Sequence, residues 1–113
     1  MVSTFIASSN TATNGQALGS ADQDIRVMRI LVGTPVSGGN IYVYNITNPV
    51  NGATTNIAAK VTLPTFSTTN INPGVYNIDF GPEGLPLNEG GNVIIDQTMN
   101  VSIVWELADN MKG

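Results

Sequence analysis

The stretch Met99-Asn100-Val101-Ser102-Ile103-Val104-Trp105-Glu106-Leu107 decides the fold class. Met99, Val101, Ile103, Trp105 and Leu107 recur at every second position, with Asn100, Ser102, Val104 and Glu106 between them. A period of two puts the sets on opposite sides of an extended chain, giving a β-strand with one apolar and one mostly polar face. The same grammar returns elsewhere in the chain. Ile57, Ala59, Val61 and Leu63 share a face, Lys60 and Thr62 take the other, and Pro64 ends the run. Residues 75–80 alternate, with Tyr76, Ile78 and Phe80 expected inward and Asn77 and Asp79 outward. Residues 41–46 carry Ile41 and Val43 on one side and Tyr42 and Tyr44 on the other. Further strands are expected at residues 2–7, 25–32, 85–87 and 92–95. Residues 25–32 alternate imperfectly, which is expected of a strand covered on both faces.

Turn residues separate these runs: Ser37-Gly38-Gly39-Asn40, Asn51-Gly52, Asn72-Pro73-Gly74, Gly81-Pro82-Glu83-Gly84 and Glu89-Gly90-Gly91. Proline presets φ, and glycine takes the positive φ that tight turns need. No segment carries an apolar period of 3.6. The expectation is an all-β chain, an antiparallel β-sandwich or jelly-roll-like barrel of about seven or eight short strands with little or no helix. Residues 8–24 follow the first strand as a polar stretch without helical periodicity, either a long loop or an extended arm. The expected organisation is a strand and arm at residues 1–24, a sandwich domain at 25–107 and a tail at 108–113.

The chain has 113 residues, the size of one domain, with a hydrophobic fraction of 42% that suffices for a core without disulfides or metal. It contains no histidine and no cysteine. Charged residues make up 11%, against about 25% in ordinary globular domains. Uncharged amides and hydroxyls cost less to desolvate than ions, so such a surface suits protein contacts. The net charge is −4, and the four basic residues, Arg26, Arg29, Lys60 and Lys112, form no stripe, so no nucleic-acid partner is expected. No apolar run approaches the ~18 residues of a membrane span, and no membrane partner is expected. The first ten residues lack the basic start and apolar run of a signal peptide, so synthesis in a cytoplasm is the expectation.

Little in the chain can carry chemistry. Nucleophilic catalysis needs a base beside the nucleophile, and the lysines on offer are Lys60, facing away from the expected core, and Lys112 in the tail. The eight acids are dispersed, mostly in turns; Asp79 and Glu83 flank one turn without marking an acid–base pair. Asp22-Gln23-Asp24 lacks the loop signature of a calcium site, and Gly38-Gly39 and Gly90-Gly91 lack the strand–loop–helix setting of phosphate sites. Asn45-Ile46-Thr47 and Asn100-Val101-Ser102 match the N-glycosylation pattern, but both start within expected strands and read as chance. The expectation is no enzyme, no catalytic residue, no metal and no cofactor. Trp105 belongs to the apolar face of its strand and is expected in the core. Tyr42 and Tyr44 are expected exposed side by side if Ile41 and Val43 point inward, which makes them a contact patch. Val2, Phe5 and Ile6 of the first strand are the other candidate protein-contact residues, since an open sandwich leaves edge strands that pair with other chains.

Tyr42-Val43-Tyr44-Asn45, then Gly81-Pro82-Glu83-Gly84-Leu85-Pro86-Leu87, then Asn100-Val101-Ser102-Ile103-Val104-Trp105-Glu106 occur in an order that resembles small β-sandwich virion proteins of tailed bacteriophages. In that group an Arg-Ile-Leu-Val-type strand leads through a Gly-rich turn into a Tyr-bearing strand; Arg29 to Gly33 and Gly38 to Asn45 match that order. The resemblance spans roughly residues 25 to 107, and its motifs are largely the grammar of sandwiches in general. It implies a capsid decoration (cement) protein or related virion component, non-enzymatic, bound in many copies to the major capsid protein. It also implies location on the capsid surface and a homo-oligomer, a trimer at a symmetric capsid position. The alternative is a fibre or adhesin-like glycan-binding module, or a tail or connector component; for the glycan module Tyr42, Tyr44 and the amide-rich loops would supply the ligand contacts.

Overall fold

A computed structural model of the chain describes residues 2–6, 15–33, 38–50, 55–63, 75–97 and 99–108; for residues 75 and 76 only the backbone is described. Within these residues there is no helix. Nine strands run in chain order: β1 (Val2–Ile6), β2 (Gln16–Leu18), β3 (Ile25–Gly33), β4 (Gly39–Tyr44), β5 (Ile57–Leu63), β6 (Val75–Asp79), β7 (Leu85–Leu87), β8 (Gly91–Ile95) and β9 (Asn100–Leu107). Eight of them lie at the expected places; β2 is the addition.

The pairing has a simple logic. β4 pairs with β5, β3 with β6, β2 with β8 and β1 with β9, all antiparallel. This is one long hairpin whose two arms run from the β4–β5 turn out to the chain ends. Rolling that hairpin adds the closing pairs β3·β9 and β4·β8. Two sheets result, sheet A in the order β1-β9-β3-β6 with β7 also on β3, and sheet B in the order β2-β8-β4-β5. That is the strand order of a jelly roll. β6 and β7 share one edge of β3, opposite Arg29–Gly33 and Ile25–Val27 respectively, and the turn between them is closed by Gly84 N–H donating to Gly81 O at 3.1 Å.

The core lies between the sheets and draws on both: Ile25, Val27, Ile30 and Val32 of β3 meet Ile41 and Val43 of β4, with Val93 and Ile95 of β8 and Val101 and Ile103 of β9 around them. All ten are about 1% exposed or less. Side chains of this kind stabilise by roughly 1.5–3 kcal/mol each when fully buried. Trp105 joins them, and its indole Nε1–H donates to Thr4 Oγ1 at 3.0 Å, tying β1 to β9. Leu107 shares the inward parity but lies past the end of the core, 57% exposed.

Two expectations need correction. The imperfect alternation of β3 does not reflect cover on both faces. Val27 pairs with Trp105 and Arg29 with Val104, leaving Met28 as an extra residue. This β-bulge shifts the inward parity from Ile25 and Val27 to Ile30 and Val32, while Arg26, Arg29 and Leu31 face outward. Met28 is held by its carbonyl, which accepts from Phe80 N–H at 3.1 Å. Nor does the sandwich begin at residue 25. β1 and β2 are strands of sheets A and B, and Leu18 is fully buried. Of the expected strand and arm at residues 1–24, residues 1 and 7–14 lie outside the described residues, as do residues 109–113 of the expected tail and the expected turn at residues 72–74.

Candidate interaction surface

A two-layer β fold has two outer faces and four sheet edges, and contact chemistry must come from these. The outer face of sheet B is built by the residues that alternate with the core set: Tyr42 and Tyr44 of β4, Asn92 and Ile94 of β8, and Lys60 of β5. The register sets Tyr42 beside Ile94 and Tyr44 beside Asn92. The two tyrosine rings stack with centroids 6.4 Å apart and an interplanar angle of 29°, and Lys60 Nζ lies 5.5 Å from the Tyr42 ring centre. Ile41 and Val43 point inward as expected, yet the tyrosines are not equally exposed. Tyr42 is half-buried and Tyr44 is only 1% exposed, so the expected side-by-side exposed pair is corrected.

The chain itself closes over this face. Asn92 and Ile94 are buried although they face away from the core. Asn92 Nδ2–H donates to Thr47 O at 2.9 Å, which fixes the segment after β4 against β8. Gly15, with φ of +85°, lies so close that a Cβ there would collide with Asn92 Oδ1 and come within 2.6 Å of Ile94 Cγ1. Pro49 is buried in the same segment. Burial, and next to it the neighbouring Tyr42, raise the pKa of the Tyr44 hydroxyl, so Tyr44 stays protonated to higher pH than a free tyrosine.

Sheet A is different. Ser3 and Phe5 of β1, Ser102 and Val104 of β9, and Arg29 and Leu31 of β3 face outward. The register aligns Phe5, Ser102 and Leu31 in one row and Ser3, Val104 and Arg29 in the next. Val104 is therefore the diagonal neighbour of both Phe5 and Leu31, at the ~7–8 Å diagonal spacing of an antiparallel sheet, and the three form one apolar patch. Phe5 is 62% exposed, and Val104 and Leu31 are half-buried. Beside the patch, the bulge opens a groove of about 480 Å³ lined by Met28, Arg29, Asp79, Gly81 and Pro82. Arg29 is exposed opposite Asp79, whose Oδ1 accepts from Gly81 N–H at 2.8 Å. The neighbouring Arg26 lies 3.9 Å from Glu106.

The edges also differ. β5 ends sheet B with a bulge at Ala58 and the exposed Lys60. β2 is three residues long, β7 carries Pro86 at its centre and β6 ends in the exposed Asp79. Each is a recognised guard against edge pairing. β1 has five residues, Val2-Ser3-Thr4-Phe5-Ile6, with no charge, no proline and an unbroken register against β9. Among the described residues no strand pairs with its other side. The candidate contact residues of β1 thus divide. Val2, 42% exposed, and Phe5 are open to a partner, whereas Ile6 packs into the core at 7% exposed. Alternation in the sequence already places Val104 on the outward face of β9, but not Leu31 and Arg29, because the Met28 bulge hides which face of β3 is outer.

At the opposite end of β3, Glu89 lies beside Asp22 and Asp24. A hydrogen bond with Asp22 and then the Asp22 charge raise its pKa above the ordinary carboxylate value. Among the described residues no group of His, Cys, Asp or Glu could hold a metal ion, and no helix is long and apolar enough to cross a membrane. Asn45, the first residue of one glycosylation-like triplet, has its side-chain amide engaged with Asn88 Oδ1 and the Glu89 N–H, both at 3.2 Å. No protein-family model, curated protein or solved structure matches the chain.

Proposed function

We propose that the chain is a non-enzymatic virion structural protein, a capsid decoration protein that binds the major capsid protein in many copies and stabilises the head. The observation that carries this reading is the apolar patch on the outer face of sheet A, where Phe5 is 62% exposed with the half-buried Val104 and Leu31 beside it, whereas Tyr44 and Ile94 on the other outer face are buried. Covering Phe5 alone would contribute roughly 1.5–3 kcal/mol. Ser3 and Ser102 between the apolar residues cost less to desolvate than charged side chains would, and Arg29 at the rim adds a directional contact to a carbonyl or carboxylate. A modest contact of this kind, repeated over a shell, stabilises the assembly without any one site being tight. The protein would be made in the host cytoplasm and reside on the capsid surface.

The glycan-binding alternative rests on the tyrosine pair, and burial of Tyr44 leaves Tyr42 as the ring of that pair within reach of a sugar. The decisive experiment is co-sedimentation of the purified chain with empty capsids of the particle that carries it. Saturable binding in many copies, lost on Phe5→Asp and kept on Tyr42→Ala, is the expected result. Absence of binding by the native chain, or loss on Tyr42→Ala alone, overturns the reading.

A further inference from the structure

We infer that β1 pairs antiparallel with β1 of a second copy about a two-fold axis through Thr4, joining two A sheets into one continuous sheet. This goes beyond capsid docking and concerns the free protein. Three observations lead to it. First, β1 is the single edge without a guard among the described strands, and its outer side has no partner there. A ring of copies would need β1 to meet a different edge, and β2, β5, β6 and β7 are short, bulged, charged or interrupted by proline. An edge that pairs with itself is isologous and closes at two copies.

Second, the charges permit it. Each chain carries a net charge of −4, so two copies repel, but Val2–Ile6 brings no charge to the seam. The nearest acid of β9 on the outer face, Glu106, already lies 3.9 Å from Arg26. Third, the sequence is self-complementary in this register. With Thr4 opposite Thr4 of the second copy, Phe5 lies opposite Ser3 of that copy, so each ring meets a small side chain. Val2, 42% exposed on the core-side face, meets the second copy's Ile6. The two phenylalanines become diagonal neighbours on the outer face. The patches of Phe5, Val104 and Leu31 from both copies then run together across the seam, which doubles the apolar surface that one face presents.

A five-residue edge is a small interface, so the dimer should be weak and visible by concentration dependence. The test is sedimentation velocity of the full chain, without capsids, from low micromolar to millimolar concentration. The expected result is a monomer–dimer equilibrium that Ser3→Glu moves to at least about tenfold higher concentration, because it sets a carboxylate against the opposing Phe5 and near its own copy. Ser3 is exposed, so circular dichroism should show the fold intact. The chain lacks cysteine, which allows a second readout. Thr4→Cys places two cysteines directly across the axis with their Cα atoms at the ~4.5–5.5 Å spacing of opposed strand residues, within the Cα range of a disulfide. Mild oxidation should give a covalent dimer from Thr4→Cys and not from Val50→Cys, which sits on an exposed loop. A monomer at every concentration, a trimer, or equal cross-linking of both variants overturns the inference.

Discussion

The outer faces of the two sheets start from the same rule and end in opposite states. In both, alternation sends every second residue away from the core, and in both some of those residues are large and apolar. On sheet B they are Tyr44 and Ile94, each 1% exposed, with the backbone at Gly15 against Ile94 and the segment after β4 bonded to the neighbouring Asn92. On sheet A the corresponding residues include Phe5 at 62% exposed. A fold that hides its outward apolar residues on one side has the means to do so, which makes the open side informative. The edges repeat the lesson: β5 has a bulge and a lysine, and β1 has neither. An apolar outward face beside an unguarded edge is the surface we propose as the one that meets another chain.

The comparison breaks most sharply at the covered face. Ile94→Ala should destabilise the fold by about 2–5 kcal/mol, as a buried core position does, whereas Val104→Ala on the open face should cost under about 1 kcal/mol. Urea denaturation of the two variants reads this directly, and equal losses would mean that sheet B is no better covered than sheet A. Smaller in free energy is the effect of removing the guard on β5. Lys60→Val should leave the urea midpoint nearly unchanged, within about 0.5 kcal/mol, yet add self-association at high concentration by light scattering. No added association would show that the bulge at Ala58 protects that edge without the lysine.

The smallest effect is electrostatic. The raised pKa of Glu89 means that the folded state holds its proton more tightly than the unfolded chain does. The resulting stability is complete below the unfolded carboxylate pKa and is lost as pH rises through the folded value. Glu89→Gln removes that slope, so the variant should gain slightly on the native chain as pH rises from about 4 to 7. Denaturation midpoints across that range check it; parallel pH profiles would contradict the Asp22–Glu89 contact.

Much of the fold was legible because the period of two survives in isolated strands. Val101, Ile103 and Trp105 of β9 and Leu63 of β5 are buried as their parity requires, and Ala59, Val61, Ile78 and Phe80 pack against the same core. The failures have physical causes. One extra residue at Met28 reverses parity within β3 without altering composition, so outward Leu31 and Arg29 could not be told from inward positions. β2 is too short for any period to register, and what defines it is pairing with β8, more than seventy residues away. Tyr44 was assigned its face correctly, but its burial comes from tertiary cover, and parity carries no information about what lies above a face. The β1 edge was legible as a candidate, because its residues are apolar and β-branched; that the other edges carry guards emerges only once the pairing is known.

The most direct test of the central claim, that the outer face of sheet A is the contact surface, is cryo-electron microscopy of the intact particle carrying this protein. Many symmetric copies are expected on the capsid exterior, each with Phe5, Val104 and Leu31 turned toward the shell and Tyr42 and Lys60 toward solvent. Density confined to the tail or fibres, or copies seated on the shell through sheet B with Phe5 left in solvent, would contradict it.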